Sequence, residues 1–167
     1  MTIRIVPIDQ GERVHLAPDL VWSGVTGDLA LAGDTSGGLA ATHHLESAIT
    51  IALMTDTRVN ADELRDGDVN RGWPGDAFDL DEAAGESPLG SRLWLLRRRT
   101  VDDARTPQLA EDYAREALQP LIDIGAVASF EVTAAADPAK NRIDLAVIAT
   151  NRDGTVLVSP KYQVHWN

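Results

Sequence analysis

His43-His44-Leu45-Glu46 brings two imidazoles and a carboxylate close enough in sequence to suggest a metal site. On a helix, however, adjacent histidines point about 100° apart, so only His43 and Glu46 share a face. Two ligands do not fill a zinc sphere, and the His-Glu-x-x-His spacing of metal hydrolases is absent. The pattern reads as the polar N-terminus of a helix. Asp66-Gly67-Asp68-Val69-Asn70-Arg71-Gly72 sets side-chain oxygens on alternate residues, as a calcium loop does. Its glycine comes one place late, and Ala77 stands where the bidentate glutamate belongs, so this stretch mimics a calcium loop without being one.

Asp76, Asp79 and Glu86 could be read as the acid and base of a glycosidase. That chemistry needs one carboxyl in an apolar pocket, where its pKa rises. Here the acids cluster in hydrophilic loops and should be ionised and solvated. Neither a Gly-x-Ser-x-Gly elbow nor a phosphate-binding glycine loop occurs. The chain has no cysteine, which removes disulfides, thiolate zinc sites and cysteine nucleophiles together. The sequence is read as a non-enzyme without cofactor or metal. A cell-wall hydrolase and a regulatory binding module remain as alternatives.

Docking chemistry is better supplied. Arg71-Gly72-Trp73-Pro74-Gly75-Asp76 and Gly90-Ser91-Arg92-Leu93-Trp94-Leu95-Leu96-Arg97-Arg98 hold two of the four tryptophans and the only dense arginine cluster. Leu93 to Leu96 are four apolar residues in succession, which no single helix face can hold, so they must be buried on nearly every side. Trp94 is therefore expected in the core. Trp73, between Gly72 and Pro74, sits on a constrained loop and could anchor a partner. Arg97, Arg98 and Arg99 have two comparable readings: a solvated face whose stems cover apolar neighbours, or forks that grip acids of an adjoining subunit.

The elements that must carry these residues can be read from apolar spacing. A helix is expected from His43 to Thr55, capped by Thr42, with Leu45, Ala48, Ile49, Ala52 and Leu53 as its apolar stripe. A second starts at Thr106-Pro107, turns Leu109, Tyr113, Ala117, Leu118 and Leu121 inward, and stops at Gly125. Pro120 predicts a kink or an early end near Gln119. Three strands follow, Ala128 to Ala135, Arg142 to Thr150 and Thr155 to Val164, joined by turns at 137–141 and 151–154. Tyr162, Val164 and Trp166 share a face of the last strand, either completing the sheet or offering an edge to a neighbour's strand. Residues 2–8 read as a short edge strand or an extended arm. The expected fold is α+β: two main helices on a three-stranded antiparallel sheet, residues 41–167, preceded by an N-terminal arm over 1–40.

With 167 residues, the chain can bury one core but not two full domains. Its formal net charge of -11 argues against nucleic acid as a partner, because phosphate binding needs a surplus of cations. No run reaches the apolar length of a membrane span, and the N-terminus lacks a signal peptide's apolar region.

Leu53-Met54-Thr55-Asp56-Thr57-Arg58, the Arg-Gly-Trp-x-Gly-Asp stretch at 71–76, Gly90 to Arg98, and Tyr113-Ala114-Arg115-Glu116-Ala117-Leu118 follow one another in an order that resembles the small baseplate wedge protein of Mu-like contractile-tailed phages. The likeness spans roughly the last three quarters of the chain. It implies a viral structural subunit of the tail baseplate, assembled in the host cytoplasm and kept in the virion. Larger wedge proteins, through their core bundle, and the tail sheath would be its partners. It would be a monomer in solution and occupy a ring in several copies. Arg71, Trp73, Asp76, Arg92 and Trp94 are the residues that would mark this branch. The broader wedge family places a Glu-Pro-Arg motif after the last helix for core-bundle contact. Ile124-Gly125-Ala126-Val127 stands there instead, so that contact does not carry over.

Overall fold

A computed structural model describes residues 3–7, 20–22, 27–29, 44–72, 80–81 and 87–166, the first three segments as backbone alone. In chain order the elements are β1 (Ile3–Pro7), β2 (Leu20–Trp22), β3 (Gly27–Leu29), α1 (His44–Met54), a 3-10 helix at Leu93–Arg98, α2 (Thr106–Asp123), β4 (Ser129–Asp137), β5 (Arg142–Thr150), β6 (Val156–Val158) and β7 (Lys161–Trp166). The main sheet runs β1-β7-β5-β4, antiparallel throughout, with β6 also paired to β5; β2 and β3 form a separate two-stranded ribbon.

The α+β expectation holds, and three details differ from it. First, the sheet is wider than three strands. β1 pairs with β7 over its whole length, Ile3 opposite Trp166 through Pro7 opposite Tyr162, so the expected edge strand forms and the last strand is not an edge. Tyr162, Val164 and Trp166 are accordingly buried. Second, the expected strand from Thr155 to Val164 is two strands. Pro160 cannot donate to the ladder, and its carbonyl accepts from Val147 N at 3.0 Å between the β6 and β7 pairings. Third, α2 runs through Pro120 to Asp123 without the early end expected near Gln119. Thr106, expected as the cap, is its first helical residue and donates from Oγ1 to Thr100 O at 2.9 Å.

Among the described residues, the helices cover one face of the sheet. Ile143, Leu145, Val147 and Ala149 of β5 alternate inward and meet Ile49, Ala52 and Leu53 of α1, Leu93 and Leu96, and Leu118 of α2. Ala110, Ala114 and Ala117 are also buried on α2, small residues that let its axis lie close to the sheet. Leu109, Tyr113 and Leu121, expected inside, sit half-buried at the sides of that stripe. The Thr50 and Tyr162 hydroxyls pair at 2.9 Å across the helix–sheet boundary, and burial pushes the Tyr162 phenol far up. The Trp166 indole donates to Leu96 O, which also accepts the capping Arg99 N–H, and to Arg99 O just past the 3-10 helix.

Candidate functional site

Beyond α1 the chain runs extended past Ser91, with Ser91 N donating to Thr55 O at 2.8 Å and Thr57 N to Ser91 O at 3.1 Å. Ser91 Oγ also donates to Leu53 O at 2.8 Å, closing one of the helix's open carbonyls. Gly90 makes this approach possible. Its φ is +121°, and a Cβ there would stand 2.7 Å from Thr55 O. The glycine beside the second arginine-tryptophan stretch is thus a fixed requirement of the fold.

Seated this way, Leu93–Arg98 coils as a 3-10 helix, in which residues three apart eclipse. Leu93 and Leu96 turn to the main core, while Trp94 and Leu95 form a second, smaller cluster with Val59. All four are buried, as the unbroken apolar run requires. The same period places Arg97 over Trp94, its guanidinium carbon 4.9 Å from the ring centre; Arg98 lies at 5.8 Å and Arg71 at 6.0 Å. Cations over an indole face are attracted by its quadrupole. Trp94 Nε1 donates to Thr57 O at 2.9 Å, so this ring is 1% exposed with its one polar atom paired.

The arginines find acids within their own chain. Asp68 takes Arg97 at 2.9 Å and Arg98 at 2.5 Å, and the Asp68, Arg97 and Arg98 side chains are only 17%, 17% and 12% exposed. Arg98 also donates to Glu63 O at 2.6 Å. Arg92 bridges Glu63, at 2.6 Å, and Glu116, with its guanidinium 5.1 Å from the Tyr113 ring centre. Arg71 pairs with Asp56 at 2.9 Å, and Arg99 with Asp103 at 3.3 Å. Among the described residues, then, the Arg97 and Arg98 guanidinium groups lie over Trp94, and Arg97, Arg98 and Arg99 each pair with a carboxylate of this chain.

The calcium-like stretch has a different use. Asp68 accepts from Arg65 N at 2.8 Å and then holds two arginines, while the Asn70 amide exchanges two hydrogen bonds with the Val59 backbone. The alternate oxygens bind guanidinium and backbone. Backbone N–H donation lowers the Asp68 carboxyl, helped by Arg97 and Arg98; Asn60 N–H does the same for Glu63, helped by Arg92 and Arg98. For Arg92, burial works against the charge, but Glu116 and Glu63 outweigh it and raise its pKa. Asp103 and Asp153 are lowered as well, each by a backbone N–H first. A proton-donating carboxyl requires the opposite shift.

Arg71, Arg92, Trp94, Arg97 and Arg98 therefore come together in one place. Trp73 and Asp76 lie outside the described residues, as do Asp79, Glu86 and His43; His44 is exposed at the start of α1. Among the described residues no group of three or more metal-ligating side chains exists, and no helix is long and apolar enough to cross a membrane. Beside Arg92 runs a groove of about 430 Å³ between Thr57–Asn60, Ser87–Gly90 and the second half of α2. Glu63, Asp68 and Glu116 were not singled out as arginine partners by their spacing. Glu63 and Asp68 stand 29 residues from Arg92 and Arg97, beyond any local periodicity.

The family described as "Phage protein GP46" matches residues 45–156. "Baseplate protein gp46" of Escherichia phage Mu is 37% identical over 117 residues, 69% of this chain and 74% of that protein. "Mu-like prophage FluMu protein gp46" of Haemophilus influenzae is 32% identical over 139 residues, 81% of this chain and 87% of that one. No solved structure gives a significant match.

Proposed function

The chain belongs to the GP46 family of phage proteins, and on that premise we propose that it is a structural subunit of a contractile-tail baseplate that works by association rather than turnover. The observation that carries this reading is its 37% identity, over 69% of its length, to a protein named for the baseplate of phage Mu. The internal use of charged groups supports it. Four arginines and four carboxylates, Arg71, Arg92, Arg97 and Arg98 with Asp56, Glu63, Asp68 and Glu116, tie the 56–71 segment, the 3-10 helix and α2 together, which suits a part that must keep its shape under load.

In finer terms, it is a wedge component that docks on the core bundle of larger wedge proteins and helps join that bundle to the sheath. It is monomeric when free and repeated around the baseplate ring. Arg71, Trp73, Asp76, Arg92, Trp94, Arg97 and Arg98 form the docking region, in two roles. Arg92, at 30% side-chain exposure, lines the groove, and Arg71, at 37%, reaches the surface shortly before Trp73 and Asp76 in sequence. Trp94, with Arg97 and Arg98 around its ring, forms the buried support under Arg71.

Co-expression with the larger wedge protein encoded beside it, followed by size-exclusion chromatography with light scattering, tests the docking. The expected result is a stable complex that is lost in the double variant Arg71→Ala, Trp73→Ala while the free chain still folds and elutes as a monomer. A folded wild-type chain that elutes alone would reject it.

A further inference from the structure

Among the described strands β4 is the outer one on the α2 side, and an outer strand exposes backbone groups that can recruit another strand. In an antiparallel ladder, alternate residues turn both backbone groups outward. Here Val132 and Ala134 turn theirs toward α2 and meet side chains there: Glu111 Oε1 accepts from Ala134 N at 3.0 Å, and Arg115 Nη2 donates to Val132 O at 3.0 Å. Glu111 and Arg115 sit one turn apart on α2 and pair with each other at 2.7 Å. One ion pair therefore occupies one donor and one acceptor on successive outward residues of the edge.

Its position matches the part of β4 that most needs covering. Val132-Thr133-Ala134-Ala135-Ala136 is uncharged and contains neither glycine nor proline, whereas Glu131 and Asp137 flank it. Short, uncharged, extended segments at sheet edges are the ones that pair edge to edge. Antiparallel pairing of β4 with β4 of a second copy, centred on Thr133, sets Glu131 opposite Ala135 and brings no like charges face to face. Such a contact is isologous and closes as a two-fold dimer. α2 has no need of Glu111 and Arg115 for its own burial, since its inward stripe is Ala110, Ala114, Ala117 and Leu118.

We propose that the Glu111–Arg115 pair is an edge guard: it blocks β4 against strand pairing with a second copy of this chain and so keeps the free subunit monomeric. The guard works by occupying Ala134 N–H and Val132 C=O, which a docking strand would need first.

Two measurements test it. In the wild-type chain, amide exchange at Ala134 should be at least about tenfold slower than at Phe130 and Ala136, two further outward-facing residues of β4. Equal rates would mean that Glu111 does not hold the edge and would overturn the proposal. In the double variant Glu111→Ala, Arg115→Ala, the solution mass should rise with concentration from 18.0 kDa to twice that value, while the wild type stays at the monomer mass. Adding Ala134→Pro, which removes an outward N–H without touching the β5 ladder, should restore the monomer. A folded double variant that stays monomeric, or association that survives Ala134→Pro, would show that the pair does not guard β4. Should the double variant fail to fold, Arg115→Ala alone frees Val132 O with α2 intact, and the same mass measurement decides.

Discussion

Replacing Trp94 by alanine removes a fully buried indole, its hydrogen bond to Thr57 O and the surface on which three guanidinium groups rest. Large-to-small changes of this kind cost about 3–5 kcal/mol, so Trp94→Ala should lower the urea midpoint sharply. Gly90→Ala should be costly for a different reason. A side chain at φ +121° is strained by about 1–3 kcal/mol, before the clash with Thr55 O is counted. The Thr55–Asp56 and Ser91 strands would separate, and amide exchange at Ser91 and Thr57 would speed up. Glu63 and Asp68 supply the pH dependence. Their folded pKa values lie below the unfolded ones, so their contribution is fully present above the unfolded values, near pH 4, and is lost as the pH falls through the lower folded values. Melting temperatures between pH 7 and 3 should show that drop, and Asp68→Asn should make it shallower.

At the scale of elements, the turns explain why so much of the sheet was legible. Asn141 adopts the left-handed conformation that its type tolerates, and Gly154 has φ +82°, so the two hairpins lie where turn chemistry places them. The alternation of β5 gave its buried face residue by residue. The split between β6 and β7 was written in Pro160, yet the alternation around it reads as one strand unless the ladder partner is known. Pro120 misled in the other direction. Proline lacks one hydrogen bond, but packing of Ala117, Leu118 and Leu121 on the core carries α2 past it for a further turn. Pro120→Ala restores the missing donor and should raise the unfolding free energy by up to about 3 kcal/mol, measured by denaturant titration. If the proline also shapes the groove it lines, docking of the larger wedge protein would weaken in that variant despite its greater stability.

Over the whole molecule, what local pattern could not reveal is the closure of distant segments. β1 lies beside β7 although almost the whole chain separates them, and Asp68 meets Arg97 across 29 residues. Neither pairing has a period that a window of sequence could detect; both depend on the core having first brought the segments together. The arginine cluster was visible as a cluster, but its carboxylates were not visible as its partners. An acidic surface, a single helix-covered sheet and an internally neutralised arginine region describe a small rigid part. Membership in the GP46 family gives that part its place. Mass spectrometry of purified tail particles from the host that encodes this chain tests the central claim most directly. The account predicts the chain in intact tails at a fixed, multiple-copy ratio to the larger wedge protein, retained in the baseplate fraction after the sheath and tube are stripped away. Finding it only in the soluble lysate, with particles complete without it, would contradict a structural role in the baseplate.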